Sequence, residues 1–124
     1  TEVSGTIGWT CDLHEAIEGV DMIVESVTSS GLRPVFEKLK NAKIACPIVI
    51  TSKGVEQASL LPLPDVLVDV LGERMRDQIG ILSGPSFAKE VIQHKPSSVV
   101  ASSFKPQLSH TISQAFNTPT FRVY

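Results

Sequence analysis

Apolar residues along the chain follow two alternating periods, and each change of period marks an element boundary. Leu13, Ala16 and Ile17 recur at helical spacing, with Asp12 and Glu15 in a capping-box arrangement before them and Gly19 as the stop. Met22 to Val27 reads as a buried strand. Thr28-Ser29-Ser30-Gly31 reads as a polar turn, after which Leu32, Val35, Phe36 and Leu39 restore the helical period, with Pro34 in the first turn of that helix. Pro47 to Thr51 is a second β-branched strand, ending at Ser52-Lys53-Gly54. Pro62 and Pro64 interrupt the next apolar stretch, so a helix is predicted from Asp65 to Arg74 with Val66, Leu67, Val70 and Leu71 inward. A strand over Ile79 to Ser83, a helix over Ser86 to Gln93, a strand over Ser98 to Ser102, a helix over Pro106 to Phe116 and a strand over Phe121 to Tyr124 complete the pattern.

Short strands apolar on both faces, alternating with helices, predict an α/β fold. The sheet is expected to be mostly parallel, with helices on both faces and right-handed crossovers. Ligands of such sheets bind beyond the carboxyl ends of the strands. The turns expected there are Thr28 to Gly31, Ser52 to Glu56, Gly84 to Ala88 and Ser102 to Phe104, which share Ser, Thr and Gly with one lysine and suit an anionic or hydroxylated ligand.

Two of these turns carry candidate chemistry. At Gly84-Pro85-Ser86 the glycine permits a close backbone approach or a positive φ, the proline sets the entry dihedral, and Ser86 is placed to cap the next helix. The same tripeptide also serves as a tight joint with no ligand. Lys53 follows a buried strand and precedes a glycine, a position from which an ammonium can neutralise a phosphate or polarise a carbonyl, or simply be solvated.

Composition narrows the function. The 124 residues make one domain, and 42% hydrophobic content provides for a core without a disulfide or metal staple. A net charge of −2 offers no basic field to nucleic acid, and no apolar run reaches the length of a membrane helix, so neither nucleic-acid binding nor membrane insertion is expected. Cys11 and Cys46 lack ligand spacing and read as free thiols, consistent with a reducing, cytoplasmic location. His14, His94 and His110 sit in no metal or triad pattern, so no metal is implied. Asp65, Asp69 and Glu73 read as a solvated helical face.

Thr51-Ser52-Lys53-Gly54-Val55-Glu56 and Leu82-Ser83-Gly84-Pro85-Ser86-Phe87-Ala88-Lys89-Glu90-Val91 together resemble the NAD(P)-dependent glycerol-3-phosphate dehydrogenases in their bacterial form. Asp12 to Val27 is similar to the segment leading into that family's fourth strand, and Phe121-Arg122-Val123-Tyr124 to the strand before its second domain. Where many members have Val-Pro-Ser, this chain has Val27-Thr28-Ser29-Ser30.

The resemblance implies a Rossmann-type domain truncated at both ends: residues 1–124 would be its latter part, without the first βαβ unit or the helical C-terminal domain. It implies hydride transfer between NAD or NADP and dihydroxyacetone phosphate, giving sn-glycerol 3-phosphate for phospholipid synthesis. Lys53 would touch both substrate and cofactor, Gly84 and Ser86 the substrate, and Ala88 the dinucleotide. The general acid/base lysine would lie downstream, so no catalytic acid or base is assigned here and the isolated chain is expected to be inactive. A phosphorylated small molecule is the expected partner, and a homodimer is left open. The alternatives are a related dehydrogenase with another anionic substrate, or a non-catalytic α/β module that binds a small anion or a protein.

Overall fold

The computed structural model describes residues 7–124. Its five strands are β1 (Ile23–Glu25), β2 (Ile48–Ile50), β3 (Ile79–Ser83), β4 (Ser97–Ser103) and β5 (Phe121–Val123), arranged in that order in one sheet. Five helices join them: α1 (Leu13–Ile17), α2 (Ser29–Glu37), α3 (Leu63–Leu71), α4 (Ala88–Ile92) and α5 (Pro106–Phe116), with a 3-10 segment over Glu73–Gln78.

Strand alternation divides the core in two. Ile48, Ile50 and Ile79 pack with Leu32, Phe36, Val66, Leu67 and Val70 of α2 and α3 on one face. Val49, Leu82, Val99, Ala101 and Val123 pack with Leu108 and Ile112 of α5 on the other. This is the expected α/β architecture with helices on both faces, and it explains why β2 is apolar at successive positions: each of its three residues is buried, alternately against one helix layer and the other.

β1, β2 and β3 pair in parallel, but β3 and β4 are antiparallel, with Gly80 opposite Ser103 and Ser83 opposite Val100. The connection explains the reversal. A parallel crossover would have to travel back the length of β4, roughly 23 Å at ~3.3 Å per residue. α4 has only five residues and buries none of them, so it is a rim turn and not a layer on the sheet. β5 pairs with β4 in parallel, and its ladder continues through Tyr124, whose N–H donates to Val99 O at 3.0 Å.

Three expected boundaries are corrected. α2 begins at Ser29, so Pro34 lies inside the helix and not in its first turn. The proline cannot donate to the Ser30 carbonyl, a defect worth about 3 kcal/mol in a helix interior. Burial of Leu32 and Phe36 on the same helix, at about 1.5–3 kcal/mol each, offsets it. α3 begins at Leu63 and ends at Leu71, not Asp65 to Arg74. Pro64 is tolerated in the first turn because N–H groups there have no helical partner, and Gly72 closes the helix.

The helix after Gly84-Pro85-Ser86 starts at Ala88 with Phe87 as its N-cap, so Ser86 does not cap it. Ser86 instead donates its N–H to Gly84 O at 2.9 Å. Gly84 itself is explained by close approach: a Cβ there would lie 2.8 Å from Val99 Cα and 2.9 Å from Ser98 O, both backbone atoms of β4. Gly84→Ala in the complete protein should therefore lower stability by about 1–3 kcal/mol, seen as a lower urea midpoint. Ser86→Ala should stay within about 0.5 kcal/mol of the parent.

Candidate functional site

The register Ile48 to Ile79 and Ile50 to Ile81 carries β2 and β3 to a common carboxyl rim, so the turn after Thr51 and the turn after Ser83 emerge side by side. Between them lies a cleft of about 300 Å³. Ile50 and Ile81 form its floor, the start of α3 from Pro62 to Pro64 its wall, and Ser52, Lys53, Gly54 and Ser83 its polar edge. Lys53 is exposed, and it enters none of the ion pairs among the described residues. Gly54 has φ +105°, a conformation that an L side chain rarely adopts, which is why glycine follows the lysine.

The other expected residues follow Ser83 along the chain. Gly84, half-buried, directly follows Ser83; Ser86 is half-buried on the same rim; Ala88 is the exposed first residue of α4. None of these three lines the cleft itself. Ser102 to Phe104 is a correction: because β4 runs antiparallel, this turn lies beside Gly80, at the amino end of β3, on the opposite rim. There Lys105 pairs with Asp77 at 2.8 Å, and Arg76 stands 5.0 Å from the Phe104 ring centre. A further hollow of about 320 Å³ lies between Val20 and Pro47, at the amino ends of β1 and β2, away from the cleft.

Two polar clusters missed in the pattern of the sequence hold the Lys53 turn. On its far side Arg33 of α2 makes a two-pronged pair with Glu56, Nε to Oε1 at 2.8 Å and Nη2 to Oε2 at 2.9 Å, and reaches Asp69 of α3 at 2.6 Å. Hydrogen bonding to Arg33, then to Ser59, holds the Glu56 carboxyl below the usual carboxylate range, while Glu56 and Asp69 hold the guanidinium above its own. On the near side Ser52 bonds to Glu25, a carboxyl only 4% exposed at the end of β1. The signal for Glu25 was one acid in an otherwise apolar strand; for Arg33 and Glu56 there was none, since their contact spans 23 positions.

Asp65, Asp69 and Glu73 are likewise not a merely solvated helical face. Asp69 pairs with Arg33, Asp65 and Glu73 both meet Arg76, and Glu73 lies beyond α3 in the 3-10 segment. Cys11 and Cys46 are both free, as expected. Among the described residues there is no cluster able to hold a metal ion and no helix long and apolar enough to cross a membrane.

Residues 1–109 match the family model described as NAD-dependent glycerol-3-phosphate dehydrogenase N-terminus. The chain is 54% identical over 121 residues to the glycerol-3-phosphate dehydrogenase [NAD(P)+] of Protochlamydia amoebophila, covering 97% of this chain and 36% of that protein. It is 48% identical over 123 residues to the Chlamydia pneumoniae enzyme of the same name, covering 98% and 37%. The crystal structure of glycerol-3-phosphate dehydrogenase from Coxiella burnetii superposes with a TM-score of 0.80 at 31% identity, over 93% of this chain and 34% of that one. The chain thus spans little more than a third of the length of the curated relatives it matches.

The Arg33 clamp has a pH signature. A carboxyl held below its unfolded pKa contributes stability that is present at neutral pH and is lost as pH falls through the folded value. Arg33→Met should therefore be less stable than the parent near neutrality. The gap should narrow as pH falls from about 5 toward about 3, measured by urea unfolding across that range; a gap constant with pH would count against the clamp.

Proposed function

Because the chain belongs to the NAD-dependent glycerol-3-phosphate dehydrogenase N-terminal family, we propose that it forms the latter part of the nucleotide-binding domain of an oxidoreductase. The reaction is hydride transfer between NAD(P)H and dihydroxyacetone phosphate, giving sn-glycerol 3-phosphate, a phospholipid precursor made in the cytoplasm. The observation that carries this reading is the emergence of the Lys53-Gly54 turn and the Ser83-to-Ser86 turn from adjacent parallel strands on one rim.

The donor set suits the reacting end of a dinucleotide bound beside a phosphorylated ketone: one ammonium, the Ser83 hydroxyl on the cleft edge, and backbone made accessible by glycine. The turns leaving the described strands carry no glycine-rich G-x-G-x-x-G loop for a pyrophosphate, and on this reading that loop and the general acid/base lysine are supplied elsewhere in the enzyme. When bound, the nicotinamide supplies the hydride. Lys53 touches both substrate and cofactor, and its ammonium stabilises the negative charge that grows on the substrate oxygen. Gly84 and Ser86 contact the substrate, and Ala88 lies against the dinucleotide.

Removing one preorganised donor from such a site costs about 2.7–4 kcal/mol of transition-state stabilisation. Lys53→Ala in the complete enzyme should accordingly lower turnover of dihydroxyacetone phosphate about 10²–10³-fold with an unchanged melting temperature. Steady-state kinetics at parental turnover would remove Lys53 from the site. The 124-residue chain alone should bind NADH poorly or not at all by calorimetry, and tight 1:1 binding would contradict this division of labour.

A further inference from the structure

Glu25 is a buried carboxyl that core packing does not require. It ends β1, is 4% exposed, and takes part in none of the ion pairs among the described residues. Burying an acid is unfavourable by several kcal/mol unless donors meet it. Its donors come from the two rim turns. Oε1 accepts from the Val27 N–H at 2.7 Å and the Ser52 hydroxyl at 2.6 Å, and Oε2 faces the Ser52 N–H at 3.4 Å. The Ser52 hydroxyl also meets the Val27 carbonyl oxygen.

Pairing of β1 with β2 does not depend on that carboxyl. The Thr51 N–H and hydroxyl both donate to the Glu25 backbone carbonyl, at 3.1 and 2.7 Å, and extend the ladder past its last paired residues. The side chain acts one step further on. It ties the turn leaving β1 to the residue immediately before Lys53, while Arg33 holds Glu56 three residues after it.

We propose that Glu25 is a positioning residue for the cleft: by holding Ser52 against Val27 it sets the direction in which Lys53 leaves β2, without itself touching substrate or cofactor. The inference deepens the dehydrogenase reading and rests on it for its kinetic readout. A displacement of a reacting group by ~1 Å can cost about 10²-fold in rate.

The test uses the complete enzyme. Glu25→Ala should lower kcat for dihydroxyacetone phosphate reduction about 10- to 100-fold at saturating NAD(P)H. Glu25→Gln retains an acceptor oxygen for the Val27 N–H and the Ser52 hydroxyl, giving up only the long contact to the Ser52 N–H, and should recover kcat to within about threefold of the parent. Thr51→Val removes a hydrogen bond at the same strand ends but leaves the carboxyl in place, so it should lose melting temperature and keep kcat within about twofold. The proposal is overturned if folded Glu25→Ala keeps parental kcat, if Glu25→Gln is as slow as Glu25→Ala, or if Thr51→Val slows as much. Should Glu25→Ala not fold, Ser52→Ala cuts the same link and should show the same loss; parental kcat would overturn the idea.

If the parent enzyme does not reduce dihydroxyacetone phosphate, the dehydrogenase reading fails and amide exchange decides this one separately. Glu25→Gln should then exchange like the parent at residues 52–54, and Ser52→Ala at least about tenfold faster, with Ser83 to Ser86 unchanged. Equal exchange in all three proteins would overturn the positioning role.

Discussion

The parallel pairing of β2 with β3, Ile48 opposite Ile79 and Ile50 opposite Ile81, carries the turn after each strand to the same rim of the sheet. Slipping that register by one residue would turn Ile48 and Ile50 out of the α2 and α3 layer and put Val49 in their place. The burial of all three side chains therefore protects the alignment of two loops that have little apolar content of their own. Of the two residues on the cleft floor, Ile50 belongs to that core and Ile81 lies next to it on β3.

The reversal between β3 and β4 has the opposite consequence. It brings the backbone of β4 so near the end of β3 that only glycine fits at position 84, and it sends Ser102 to Phe104 to the far rim. One rim thus holds Lys53, Ser83 and Ser86, and the other holds a set of exposed ion pairs around Arg76, Asp77 and Lys105. Exposed pairs of that kind are worth about 0–1 kcal/mol each. The Arg33–Glu56–Asp69 cluster differs in geometry, since a two-pronged guanidinium contact joins two helices to the loop after Lys53 and fixes direction as well as adding attraction. Glu25 on one side and Glu56 on the other leave the Lys53–Gly54 segment a short span between two anchored points.

Much of this was readable in local pattern. β3 and α5 fall where periodicity places them, over Ile79–Ser83 and Pro106–Phe116, because each is bounded by an unambiguous change of period or by a proline at a helix start. The two-faced apolar strands gave the α/β class for a sound reason: only a sheet covered on both sides buries Val49 together with Ile48 and Ile50. Prolines misled where tertiary burial outweighed local preference, at Pro34 inside α2 and Pro64 in the first turn of α3.

The amino-acid sequence by itself determined the alternation of elements and the two short motifs around Lys53 and Gly84 that mark the family. It determined these because each depends on residues close together in the chain. Only the tertiary structure decided that β4 runs backwards, that Gly84 is a matter of interstrand space and not of φ, and that Glu25 and Arg33 grip the Lys53 turn. Those facts rest on contacts between residues 15 to 27 positions apart, as in Gly84 with Val99, Arg33 with Glu56 and Glu25 with Ser52. Such contacts exist only once the sheet has brought distant strand ends together, and no local period records them.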